Sequence, residues 1–198
     1  MDDRGGGNID PLLVNHRRAC DGFSRVADGV SPDGWDVPTP CTEWDARSLV
    51  EHVIGFHDFL LLRPLGVRAH RPREGPADRW RATATALFDA LSVDGALDQE
   101  TELPGGGTSA PRTMLAALTT DVLVHTWDLA RATGVDVSLD PVLCGAALER
   151  ARASGVGRDS GMVGPEVPVD DDADMSTQLA AFYGRNPSWT APPWTATE

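Results

Sequence analysis

Apolar residues in the first half of the chain recur every three to four positions. Leu12, Leu13, His16, Cys20, Phe23 and Val26 fall on one helical stripe, opened by Asp10-Pro11 and closed near Gly29. Aspartate caps the free amides of a first turn, and proline at the first helical position gives up a donor that has no partner there. The pattern predicts a helix from about Ile9 to Gly29. Ser31 to Cys41 holds three prolines and a glycine and reads as loop. Thr42 or Asp45 can cap a second helix, whose inward face reads Leu49, His52, Val53, Phe56, Phe59 and Leu60. Pro64 to Pro76 is an Arg/Pro/Gly connection, long enough to return the chain to the same end of a bundle. A third helix is predicted from Ala77 to Leu91, with Trp80, Ala84, Leu87, Phe88 and Leu91 inward. Thr101 to Pro111, with the run Gly105-Gly106-Gly107, reads as loop. Arg112 to Thr133 predicts a fourth helix that Gly134 terminates. It is almost wholly apolar between Met114 and Ala132 and should sit centrally. Shorter helices are predicted over Pro141 to Ala153 and Ala173 to Tyr183. No internal repeat and no strand-like alternation interrupts this series. The expectation is an all-α chain: a four-helix bundle with a long crossover after the second helix and a small C-terminal helical extension. One domain over residues 9–186 is expected, with flexible tails at 1–8 and 187–198.

Composition narrows the function classes. The 198 residues, 41% hydrophobic, suffice for a packed core. Seventeen basic residues, all arginine, stand against 30 acidic ones, a net charge of −13. Such a surface repels phosphate backbones and anionic lipid, so no nucleic acid and no membrane partner is expected. The arginines Arg63, Arg68, Arg71, Arg73, Arg79 and Arg81 are scattered through the crossover and make no basic stripe. Cys20, Cys41 and Cys144 are odd in number, with no close pair and no secretory signal, which predicts free thiols in a cytoplasmic protein.

Candidate chemistry concentrates in Asp121-Val122-Leu123-Val124-His125-Thr126-Trp127-Asp128. Asp121 and His125 are four apart and share a helical face, with Asp128 one turn further on the same side. Charged groups within an apolar helix are costly to bury unless they are paired or bound to a cation. Asp and His are also ligands for zinc and other first-row metals. A third ligand must come from elsewhere, and His52 on the second helix is the candidate. Spacing alone leaves the alternatives open: a metal site, a core ion pair, or a buried histidine bonded within the core. His16 faces inward from the first helix as a pocket or rim residue. Cys41 reads either as an activated thiol near a helix start or, preferably, as packing with Trp44. His57 points about 140° away from His52 and reads as structural or exposed. His70 reads as solvated, and Gly105 to Gly107 lacks the Lys-Ser/Thr of a phosphate loop.

Four segments together carry a family resemblance: Pro38-Thr39-Pro40-Cys41-Thr42-Glu43-Trp44-Asp45; Leu49-Val50-Glu51-His52-Val53; Asp121 through Gly134 (DVLVHTWDLARATG); and Phe182-Tyr183-Gly184-Arg185. In their order the chain resembles actinobacterial DinB-like proteins related to the N-terminal domain of mycothiol-dependent maleylpyruvate isomerase. The resemblance implies a DinB-like four-helix bundle and a metal held by His52, Asp121 and His125, with Asp128 either orienting His125 or, equally, capping or pairing with Arg131 three positions on. The isomerase-type pattern has Glu where this chain has Asp121, whose arm is one methylene shorter. It further implies zinc or another divalent metal, mycothiol as thiol cosubstrate, and a small electrophile as its partner. The expected activity is thiol transfer rather than isomerisation, because Val135 to Glu198 does not reproduce the isomerase's larger C-terminal domain. The rival expectation is a non-catalytic ligand-binding or sensor protein that keeps the pocket. A metal-free structural relative is a third. The sequence does not choose between monomer and homodimer.

Overall fold

The computed structural model describes residues 10–69, 72–73, 75–155, 158 and 163–192. The expected N-terminal tail, His70 and Trp194 lie outside them. Among the described residues the fold is all-α apart from one small hairpin and an isolated bridge between Pro38 and Asp45. Helix α1 spans Pro11–Gly29, α2 Ala46–His57, α3 Pro76–Leu91, α4 Pro111–Thr133, α5 Pro141–Ser154 and α6 Met175–Phe182. Strands β1 (Thr101–Glu102) and β2 (Thr108–Ser109) pair antiparallel across the glycine run, where the composition predicts plain loop. Gly106 and Gly107 adopt positive φ there, which a tight reversal needs.

The helices of the first four segments and of the C-terminal extension start within about two residues of the predicted positions, and those of α1 and α2 are set by local caps. The Asp10 carboxylate accepts the Leu12 amide at 2.8 Å, and Asp45 accepts that of Ser48 at 2.7 Å. Gly134, at φ 70°, ends α4. Its amide bonds back to Ala130. α4 packs against α1, α2, α5 and α6, as its all-round apolarity predicts. The buried hydroxyls of Thr119 and Thr126 are satisfied by carbonyls one turn back, each at 2.6 Å. Phe23, Leu87, Leu115, Leu118 and Leu123 are fully enclosed between the helices. Each contributes about 1.5–3 kcal/mol relative to an exposed side chain.

The inward face of α2 differs from the predicted one. Leu49 and Val53 are buried as expected, but so are Val50, Ile54 and His57, whereas Phe56 and Phe59 are 39% and 41% exposed and Leu60 is half-buried. Two causes combine. α2 lies against both α3 and α4, so it buries two rows of side chains rather than one. After His57 the chain continues as a π-helical turn over Asp58–Leu62, with the Arg63 amide on the Asp58 carbonyl at 2.9 Å. The extra residue in that turn rotates the downstream side chains by about 100°. Leu61 and Leu62 move inside and Phe59 moves out. The shorter helices α5 and α6 pack together over α4. Arg150 ties α5 to α4 through the Ala116 carbonyl and the Thr120 hydroxyl.

Candidate metal centre

Asp121 and His125 project from the middle of α4 toward α2, which presents His52. The Asp121 Oδ1 lies 3.4 Å from His125 Nε2 and 3.5 Å from His52 Nε2. One donor atom from each of the three residues fits within 4.8 Å of the other two. Ligands about 2.0–2.1 Å from a tetrahedral metal stand ~3.3–3.4 Å apart, so the observed spacings suit one ion. The shorter aspartate arm therefore reaches both imidazoles. The other Asp121 oxygen, Oδ2, is buried and has no hydrogen-bond partner. A buried carboxylate oxygen without a partner is costly, and a cation at this point would remove that cost.

Electrostatics show the same preference. Burial pushes the Asp121 carboxyl up, but His125 and His52 beside it outweigh burial and hold it well below the usual range. Burial pushes His125 down, yet Asp121 and then Asp128 raise it to about 9. The pocket between α2 and α4 thus favours positive charge. His52 and Asp121 keep 17% and 20% of their side chains exposed against 6% for His125, so the cluster has an open side.

The ring of His125 is oriented from behind. Its Nδ1–H donates to Asp128 Oδ2 at 3.0 Å, which leaves Nε2 facing Asp121 and His52. Asp128 is fully buried and is clamped by Arg185, whose Nη2 donates to Oδ2 at 2.8 Å and whose Nε approaches both oxygens at 3.2 Å. Arg185 arrives there through the end of α6. The Gly184 amide bonds to the Ala181 carbonyl and the Arg185 amide to that of Ala180, the paired bonds of a Schellman turn. Gly184 has φ 86°. A Cβ at this position would meet the Gly164 Cα at 2.9 Å.

On the open side the His52 ring stacks on Trp44 with centroids 4.1 Å apart, and Phe56 lies 4.4 Å away. Trp44 is held by its loop: the Thr39 hydroxyl donates to the carbonyls of Trp44 (2.8 Å) and Cys41 (3.0 Å).

Of the residues singled out in the sequence, His52, Asp121, His125 and Asp128 thus come together. Asp128 does not pair with Arg131, which lies over the Trp127 ring instead. His16 is fully buried but turned elsewhere, toward Thr119, Cys20 and His57. Burial pushes the Cys41 thiol up, against the pull of Arg185, which argues for packing over activation. His57 is fully buried rather than exposed. Sequence reasoning assigns no role to Arg185, which stands 57 positions from Asp128 with no local pattern linking them. Nor does it show that Trp44 covers His52.

The sequence profile of the mycothiol maleylpyruvate isomerase N-terminal domain matches residues 16–130. Two curated proteins from strains of Mycobacterium tuberculosis, described only as uncharacterized, are each 35% identical over 194 residues, covering 89% of this chain and 98% of their own length. No solved structure matches the chain significantly. Among the described residues, no helix is long and apolar enough to cross a membrane. With the profile spanning more than half of its length, the chain belongs to the mycothiol maleylpyruvate isomerase N-terminal domain family.

Proposed function

We propose that His52, Asp121 and His125 hold a divalent first-row metal, zinc foremost, and that the protein transfers a low-molecular-weight thiol, mycothiol, to a small electrophile in the cytosol. The observation that carries this reading is the Asp121 carboxylate: one oxygen is shared between two imidazoles at ligand spacing, and the other is buried without a partner. Three protein ligands leave a fourth position for the thiol, and the metal's charge supplies the thiolate at neutral pH. The chain's own residues do the rest. Asp128 fixes the tautomer of His125 so that Nε2 is free to ligate. Arg185 neutralises the buried Asp128 carboxylate through their 2.8 Å ion pair. Trp44 and Phe56 wall the His52 ring and shed water from its apolar faces, while its exposed edge remains the approach for small molecules.

The test is metal content and turnover of untagged protein. About one zinc per chain, lost in His52→Ala and in His125→Ala, with mycothiol-dependent consumption of a model electrophile lost in the same variants, supports the proposal. Zinc without turnover across a panel of electrophiles favours the ligand-binding or sensor reading. A wild-type chain that holds no metal after incubation with zinc defeats both.

A further inference from the structure

A second set of donor atoms converges outside the triad. His16 and Cys20 stand one turn apart on the buried face of α1, and His57 faces them from the end of α2. His57 Nε2 lies 3.2 Å from His16 Nε2, and the Cys20 sulfur lies 3.6 Å from the same nitrogen. One donor atom from each residue fits within 4.8 Å of the other two. None of the three residues is more than 1% exposed.

With the Thr119 hydroxyl turned to the Leu115 carbonyl, this contact lacks a proton. His57 Nδ1 is 2.6 Å from the Val53 carbonyl, which only accepts, so Nδ1 carries the hydrogen and Nε2 presents a lone pair. The Thr119 hydroxyl commits its hydrogen to the Leu115 carbonyl at 2.6 Å. Its oxygen must then accept from His16 Nδ1, 3.1 Å away. In its neutral form His16 too therefore presents a lone pair at Nε2. Two lone pairs face each other at 3.2 Å, and the Cys20 thiol can donate its weak hydrogen to only one of them. An extra proton would create an imidazolium fully enclosed in the core, which is costly.

A metal ion would remove this conflict, and the two donor spacings that involve His16 suit one. Two nitrogens about 2.0–2.1 Å from one metal stand ~3.3 Å apart, and a nitrogen and a thiolate sulfur ~3.6 Å. We infer that His16, Cys20 and His57 form a second metal site, selective for a soft monovalent cation, Cu(I), that ties α1 to α2. The donor set selects the ion. Thiolate with imidazole suits Cu(I) as well as zinc. A closed zinc site takes four donors, and the cluster among the described residues has three. With one thiolate, Cu(I) gives a complex of zero net charge, whereas zinc would leave a buried positive charge. Binding breaks the Cys20 S–H bond, forms the S–Cu bond and releases one proton to solvent. No electron is transferred.

The full-length chain, stripped of metal with a chelator, is given Cu(I) anaerobically as its acetonitrile complex against a competing Cu(I) chelator. Copper X-ray absorption then reads the ligands. The expected result is one retained copper per chain with a sulfur neighbour at about 2.3 Å, the usual metal–thiolate length. Retention should persist in His52→Ala and fall at least tenfold in Cys20→Ser and in His57→Gln. Cys41 and Cys144 are free thiols as well, so the sulfur neighbour should persist in Cys41→Ser and in Cys144→Ser, and its loss in either would overturn the site. Copper without a sulfur neighbour in wild type, or retention lost in His52→Ala and kept in Cys20→Ser, would overturn the site. Zinc alone binding with a sulfur neighbour would overturn the choice of ion. Zinc at the triad is read separately by its loss in His52→Ala, so either site can fail without the other.

Discussion

The His52–Asp121–His125 triad and the His16–Cys20–His57 cluster both draw on α2, from positions five apart, which a helix sets about 140° from each other. One row faces α4 and the solvent edge, the other faces α1 and the core. The triad contains a carboxylate, is backed by the buried Asp128–Arg185 pair, and raises the histidine at its centre. The closed cluster contains no carboxylate, is backed by a hydroxyl and a carbonyl, and lowers both of its histidines. On the two proposals, similar donor spacings would serve different cations, with charge supplied from behind and access to water deciding which ion is held and whether it meets a substrate.

The largest effect should come from removing the charge behind the triad. Arg185→Ala leaves Asp128 buried without its cation, and loss of one partner of a buried pair costs about 3–5 kcal/mol. Urea unfolding should show that loss. Zinc affinity at the triad should also fall about 10–100-fold, the usual result of losing such backing, while copper retention stays the same. If both sites weaken equally, the division between them is wrong.

Next in size is the pH dependence of the metal-free chain. His125 is raised from 6.5 to about 9. The stability it contributes is complete below pH 6.5 and is lost as pH climbs through about 9. His16 and His57 are shifted the other way, so they weaken the fold as pH falls below 6.5, where the unfolded chain takes up protons the folded chain refuses. Denaturation midpoints from about pH 5 to about pH 10 should therefore decline on both sides. Asp121→Asn should flatten the alkaline side and, because the Asp121 charge also supports protonated His16 and His57, slightly steepen the acid side. An unchanged alkaline side in that variant would remove the electrostatic account of the triad.

Gly184→Ala should cost about 1–3 kcal/mol, because alanine at φ 86° would also collide with Gly164. By shifting Arg185 it should lower zinc affinity as well, and a purely structural glycine would leave that affinity alone. The smallest effect is expected at Asp174, which caps α6 by accepting the Ser176 and Thr177 amides, each at 3.0 Å. Asp174→Ala should cost about 1 kcal/mol, as lost caps do, with metal binding at both sites intact.

The legible part of the sequence is local. The caps at Asp10 and Asp45, Pro11 at a first helical position and Gly134 at a terminus are short-range chemistry and readable, whereas Pro76 and Pro111, which read as ends of connections, open α3 and α4, and the Asp140 cap is seen only in the structure. The shared face of Asp121, His125 and Asp128 comes from spacing within one helix. The hidden part depends on other segments. The π turn after His57 leaves no mark on apolar periodicity, so periodicity alone puts Phe59 inside. The 140° offset of His57 from His52 is readable from helical geometry, but its meaning is not, since only the position of α1 shows where that offset leads. Arg185 reaches Asp128 only because a left-handed turn at the end of α6 aims it there, and nothing near Asp128 in sequence announces that partner.

The Asp128–Arg185 clamp also sets an order in time. A ribosome adding about 5–20 residues per second makes Arg185 some 3–11 s after Asp128, across the 57 intervening positions. During that interval all three triad residues exist, but the charge that lets Asp128 be buried does not. A growing chain would thus meet metal with its ligands made and their support missing, and loading is expected to follow the synthesis of α6 and Arg185 rather than precede it.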